Sequence, residues 1–154
     1  RFHVTRKQKA QIQEKNSSIT DSIYYAKHIQ DAILTSDEYM NNSLKEHFVF
    51  YQPKDIVSGD FYWAYKANST TTMVAVVDCT GHGVPGAFMS MLASSLLNEV
   101  VIDKGITNVD DVLNNMRILL IKALDKGEGQ SKSTDGMDMT LLKIENNIRL
   151  VDVY

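Results

Sequence analysis

Met73-Val74-Ala75-Val76-Val77-Asp78-Cys79-Thr80-Gly81-His82-Gly83 is the stretch around which the chain is organised. Its first five residues are apolar and mostly β-branched, the composition of a buried strand. Val84-Pro85-Gly86-Ala87-Phe88-Met89 follows and reads as a helix start, with Pro in a first turn that leaves its N–H unused anyway. An Asp closing a buried strand is held by a rigid element and still faces ligands. The glycines after it permit a sharp turn and a close approach. A second Asp stands upstream in Ser58-Gly59-Asp60-Phe61-Tyr62. Two fixed carboxylates, each with a glycine within three residues and on or beside a strand, suggest a hard-cation site with Mg²⁺ or Mn²⁺. A turn after Asp78 would expose the Cys79 main-chain oxygen as a further ligand. Spacing alone weighs this evenly against Asp side chains that merely cap turns.

Outward from that stretch, His47-Phe48-Val49-Phe50-Tyr51 reads as a strand halted by Gln52-Pro53, and Phe61–Tyr65 as a second, aromatic one. Ala67–Thr70 is a turn, and Thr72–Asp78 is the third strand. Three strands with short polar links predict an antiparallel meander. Before them, Ser36-Asp37-Glu38 reads as a break and Tyr39–Glu46 as a short helix. Downstream, a helix is predicted over Val84–Ile102, ended by Gly105, and a second one capped by Asn108 or Asp110. Asp125–Gly136 is glycine-rich and polar, a loop. Met139–Glu145 and Ile148–Val153 predict a hairpin about Asn146-Asn147. The order predicts an α+β domain over 37–154, an antiparallel sheet with flanking helices.

Residues 1–36 precede it as one long helix. Ile12, Ile19, Ala26 and Ile33 recur every seven residues, Ile23 and Ile29 fill the face, and Asn16 shares the second seam position with Ile23. That pattern supports either a coiled-coil homodimer or an amphipathic helix packed on its own domain. The basic start (Arg1, Arg6, Lys7, Lys9) suits juxtamembrane charge in a membrane-anchored parent or a solvated helix face.

The 154 residues carry a formal net charge of -3, which argues against nucleic-acid binding. No apolar run in the bare sequence approaches the ~20 residues of a membrane span, and a cytoplasmic domain is expected. The single cysteine, Cys79, excludes an internal disulfide framework and a cysteine-based zinc site, leaving oxygen to ligate any metal. The chain starts without Met and ends within a strand-like pattern, as if both ends were cut from something longer.

Lys54-Asp55-Ile56-Val57-Ser58-Gly59-Asp60-Phe61-Tyr62, followed by Val77-Asp78-Cys79-Thr80-Gly81-His82-Gly83-Val84-Pro85-Gly86-Ala87, resembles the metal-dependent serine/threonine phosphatases of the sporulation-stage-II-E and sigma-regulator type. These form the bacterial branch of the PP2C-like superfamily. The segment from Asn16 to Leu34 resembles the linker helix that precedes such domains. The resemblance implies an αββα sandwich, here incomplete, and a metal-activated water attacking phosphoserine or phosphothreonine. Asp60, Asp78 and the Cys79 main-chain oxygen would hold two Mn²⁺ or Mg²⁺ ions roughly 4 Å apart. It implies a phosphoprotein substrate such as an anti-sigma-factor antagonist. His82 is a candidate general acid, set against a turn-stabilising hydrogen bond. Asp138, in Asp135-Gly136-Met137-Asp138, could reach the site or stay a solvent-facing turn carboxylate.

The family domain continues beyond Tyr154 with more strands and at least one further Asp ligand. This chain alone is therefore expected to bind metal weakly, to be inactive, and to leave a sheet edge through which copies could pair. A non-catalytic pseudo-phosphatase or dimerising interaction module is the alternative, and a small-molecule phosphohydrolase a third reading.

Overall fold

The structure, a computed structural model, describes residues 2–125, 135–145 and 151–153. In chain order the elements are helices α1 (Phe2–Ile33) and α2 (Asp37–Ser43), strands β1 (Phe61–Lys66) and β2 (Thr71–Cys79), helices α3 (Gly83–Leu97) and α4 (Val109–Leu124), and strands β3 (Met137–Glu145) and β4 (Val151–Val153). The strands form one antiparallel sheet in the order β1-β2-β3-β4. This is the α+β class that the sequence predicts.

β2 shows why the sheet has two distinct faces. Met73, Ala75, Val77 and Cys79 are buried, while Val76 and Asp78 are exposed. That is the two-residue alternation of a strand covered on one side. Phe61, Trp63 and Leu141 join the buried side from β1 and β3. Against it pack Met89, Ala93, Leu96 and Leu97 of α3 and Val109, Val112, Met116 and Leu120 of α4. Small residues Ala87, Ser90, Ala93 and Ser94 are all buried and let α3 lie close. α3 runs on through a π-helical segment, Asn98–Asp103, whose first residue accepts a 2.9 Å hydrogen bond from the Trp63 indole. Gly105, at φ 67°, then turns the chain in a region that only glycine enters freely. Asn108 caps α4 by accepting from the Asp111 N–H at 3.1 Å. Within Gly83–Asp103 an 18-residue window reaches a mean hydropathy of 1.3, long and apolar enough by composition to cross a membrane, contrary to the run-length reading. Here 56% of that window is buried inside the fold, and the stretch is the core helix.

Other expectations are corrected. His47–Tyr51 forms no strand: no described strand pairs with it, and Phe48 and Phe50 are 90% and 84% exposed. β-branched and aromatic content gives a segment strand character only where a neighbour supplies hydrogen bonds. The break expected at Ser36-Asp37-Glu38 falls at residues 34–36, and Ser36 ends it as an N-cap whose side chain accepts from the Tyr39 N–H at 3.2 Å, so α2 runs Asp37–Ser43 and not Tyr39–Glu46. Asp37 and Glu38 then sit where the helix dipole favours acids. The pairing of Ile144 with Val151 moves the last hairpin one residue on from a turn centred at Asn146-Asn147. That turn, and most of the loop expected over 125–136, lie outside the described residues.

α1 divides in two. Ile23 and Ala26 are half-buried and Gln30 is fully buried, so this side of the helix docks on the chain's own domain, while Ile29 and Ile33 stay 44% and 41% exposed. Ile12 and Ile19, nearer the start, are 60% and 58% exposed.

Three glycines hold the loops at the sheet's end together. A Cβ on Gly86 would stand 2.5 Å from the Gly81 oxygen and 3.1 Å from the Gly59 Cα. A Cβ on Gly59 would stand 2.7 Å from the Gly81 oxygen and 3.1 Å from the Cys79 oxygen. These are backbone-on-backbone contacts, so a side chain can be admitted only if a main chain moves. Gly86→Ala is expected to lower unfolding stability by about 1–3 kcal/mol in urea melts. Gly136→Ala, where an added Cβ meets nothing within 4 Å, should stay within about 0.5 kcal/mol of wild type.

Candidate metal centre

Strand register brings the acidic residues together. Phe61 pairs with Val77, so Asp60, one residue before β1, falls opposite Asp78. Asp78 in turn pairs with Asp138 on β3. Phe61, Val77 and Met139 turn towards the helices, and alternation sends the three aspartates to the other face. All three line one open depression of about 650 Å³, with Lys54, Cys79, Thr80, Gly81, His82, Gly136 and Met137.

Each carboxylate has its own backbone support. The Asp60 N–H donates to Ser58 Oγ at 3.0 Å, and the Asp60 carbonyl accepts from the Tyr51 hydroxyl at 3.0 Å. Tyr51 is steadied by an edge-to-face contact with Tyr62, ring centres 5.7 Å apart. Asp78 is fixed by the central strand. Beyond it, Thr80 clasps Gly136: its N–H and hydroxyl donate to the Gly136 carbonyl at 2.9 and 3.1 Å, and its hydroxyl accepts from the Gly136 N–H at 3.0 Å. That clasp fixes the start of β3 and so the placement of Asp138.

Directly opposed like charges repel across a sheet. Asp60 shows the effect: desolvation, then a hydrogen bond to the Asp78 carboxyl, then the charge of Asp78 push its pKa above the ordinary 3.8. Among the described residues neither Asp60 nor Asp78 has a basic partner in ion-pair range. The donors are all oxygen: two touching carboxylates, the Cys79 main-chain oxygen close against Gly59, and Asp138 one strand farther. That set suits a hard divalent cation, whose charge relieves the repulsion. The residues therefore fit Mg²⁺ or Mn²⁺. Among the described residues no three acidic, histidine or cysteine side chains close on a single point, so Asp138 stands beside the pair and not within it.

The Cys79 side chain faces the core, and burial, with the nearby charges of Asp60 and Asp78, pushes its thiol up to about 12. It stays protonated at neutral pH and is no nucleophile. His82 sits at the N-terminal boundary of α3 without capping it. Its Nδ1 lies 3.0 Å from Asp55 Oδ2, and the ring is largely exposed at the pocket rim. The sequence left Asp138 open between reaching the site and a solvent-facing turn, and the structure places it on β3 at the pocket. Its one signal, the alternation from Met137 to Leu141, gains meaning only when β3 is paired with β2.

An antiparallel sheet layered on α3 and α4 after a long N-terminal helix is consistent with part of a PP2C-like fold. The SiaA PP2C domain of Pseudomonas aeruginosa has a similar structure, with a TM-score of 0.75 and 30% sequence identity over 89% of this chain. The chain spans 53% of that domain's length. No protein-family model matches the chain, and no curated protein matches it.

The raised Asp60 pKa has a consequence for metal-free protein. The folded state holds this proton more tightly than the unfolded state, so stability is fully present below the ordinary value of 3.8 and is lost as pH rises through the raised one. Asp78→Asn removes the opposing charge. In chelator, the difference in urea midpoint between Asp78→Asn and wild type should grow in the variant's favour as pH rises through that window.

Proposed function

We propose that this chain works in a metal-dependent protein serine/threonine phosphatase of a bacterial signalling pathway, of the sporulation-stage-II-E and sigma-regulator type. The observation that carries the reading is the contact between the Asp60 and Asp78 carboxylates, without a basic partner among the described residues, at the open end of a PP2C-like sheet. Bound Mn²⁺ or Mg²⁺ ions, two in a complete domain, would supply an activated water and neutralise phosphoryl charge. Asp60, Asp78 and the Cys79 main-chain oxygen would hold them, and Asp138 would orient their waters. Lys54 would meet the substrate's phosphoryl oxygens at the rim. His82, fixed by Asp55, would donate a proton to the leaving serine or threonine oxygen.

The exposure of these residues favours a phosphoprotein, such as an anti-sigma-factor antagonist, over a small molecule, which a closed pocket would suit better. Residues 1–36 would be the signalling helix and 37–154 a portion of the catalytic domain, in a cytoplasmic protein with a membrane anchor upstream. Two carboxylates with one neighbour supply little charge for two ions, so the chain alone is proposed to bind metal weakly and turn over little.

The second reading is a non-catalytic module that pairs as a homodimer. The exposed Ile12 and Ile19 favour pairing through α1. The β1 edge is a poorer route: its Ala64 and Lys66 N–H groups already donate to Thr35 Oγ1 and the Tyr39 hydroxyl, at 3.1 Å each.

The test is Mn²⁺-dependent hydrolysis of a phosphoserine protein by a longer protein containing this chain. Activity that is lost on chelation and falls on the order of 100-fold in Asp78→Asn supports the phosphatase. Metal-independent or absent turnover, with a stable dimer, supports the module. Brisk hydrolysis of p-nitrophenyl phosphate by the 154-residue chain would overturn its proposed inactivity.

A further inference from the structure

One buried amide spans three segments. Gln30, near the end of α1, is 2% exposed, among core residues where an unpaired amide would be costly. Its Nε2 donates to the Ser58 carbonyl at 2.7 Å and to Ser90 Oγ at 2.8 Å. Its Oε1 accepts from the Ser58 N–H at 3.1 Å. The side chain thus grips both backbone polar groups of a residue 28 positions away. Ser90 Oγ, fully buried on α3, lies 2.9 Å from both the Ser58 and Ala87 carbonyls, which accept its own proton. The amide can adopt only one orientation, because a flip would aim its NH₂ at the Ser58 N–H.

From Ser58 the path to the candidate metal centre is two residues long. Ser58 Oγ accepts from the Asp60 N–H, and Gly59 between them lies against the Gly81 and Cys79 oxygens. A shift of Ser58 therefore moves Asp60 or breaks the glycine contact that sets Asp60 against Asp78. We propose that Gln30 is a positioning residue: it fixes the Ser58–Asp60 corner and thereby the spacing of the two metal-holding carboxylates. The proposal rests on the metal reading of Asp60 and Asp78. It differs from a helix-docking role, in which Gln30 would hold α1 in place and leave metal affinity unchanged in the folded molecule.

The chemistry of the amide gives a test that simple packing would not follow. In Gln30→Glu, the protonated carboxyl has one O–H for the Ser58 carbonyl and one C=O for the Ser58 N–H, keeping the grip on Ser58 and losing only the bond to Ser90 Oγ. The ionised carboxylate has no donor. Mn²⁺ affinity of the 154-residue chain is measured by titration calorimetry for wild type, Gln30→Leu, Gln30→Glu and, as the lost-ligand reference, Asp60→Asn. Folding of each is checked by circular dichroism. Gln30→Leu is expected to weaken Mn²⁺ binding about tenfold or more. For Gln30→Glu the ratio of its Kd to wild type, taken at each pH, should be no more than several-fold at about pH 6, as for Ser90→Ala, and rise towards the Gln30→Leu value at about pH 8.5. If Gln30→Leu does not fold, Ser90→Ala removes one of the three amide bonds. It should speed hydrogen exchange at the Ser58 N–H and weaken Mn²⁺ several-fold.

Folded Gln30 variants that bind Mn²⁺ like wild type, or a Gln30→Glu ratio flat across pH, would overturn the positioning role alone. A wild-type chain that binds no Mn²⁺, or binds it as well with Asp60→Asn, would overturn the metal reading itself.

Discussion

Two carboxylates held against each other by strand register are the constraint on which this structure depends. Left to themselves, Asp60 and Asp78 would move apart, because like charges on paired positions repel. They do not, because each sits on a support that cannot yield cheaply. Asp78 ends the central strand, whose other face is packed into the core. Asp60 hangs from Ser58, Tyr51 and a glycine corner too tight for any side chain. The fold stores this repulsion at one end of the sheet, a place where a divalent cation would release it. The same logic explains the clasp between Thr80 and Gly136, which brings a third aspartate alongside.

Much of this was legible in the sequence because it is written in local patterns. The buried run from Met73 to Val77 ending in Asp78, the small-residue helix after it, and the Asn108 cap each depend on residues close in sequence. Asp60 and Asp78 could be named as a pair for the same reason, since both stand at strand ends, Asp60 after Gly59 and Asp78 three residues before Gly81. What escaped depends on partners distant in the chain. Phe48–Phe50 has strand composition, but strand formation is decided by a neighbour, and no described one pairs with it. Asp138 stayed undecided between the site and a turn until β3 lay beside β2. Gln30 was one polar residue among several on α1, and its role needs Ser58 and Ser90, 28 and 60 residues away.

The heptad stripe of α1 shows how one pattern can serve two ends. At Ile23, Ala26 and Gln30 the helix packs on the chain's own domain, while Ile29 and Ile33 stay 44% and 41% exposed, so only part of the periodicity reports internal packing. At Ile12 and Ile19 the same stripe is exposed and free to meet a partner. A signal arriving along α1 would therefore pass from a free segment into one bonded to the corner that carries Asp60. This joins the helix to the sheet end through hydrogen bonds of defined direction as well as apolar contact.

The central claim, that the aspartate rung is a divalent-cation site, is tested most directly by where bound Mn²⁺ sits. Paramagnetic broadening of backbone amide signals on adding Mn²⁺ to the isotope-labelled chain reads this residue by residue. The account predicts that broadening begins at Asp60, Asp78, Cys79, Thr80 and Asp138 and spares the exposed acids of α1 and α4, such as Glu14 and Asp110. Equal broadening at those surface acids, or none at the rung, would contradict it.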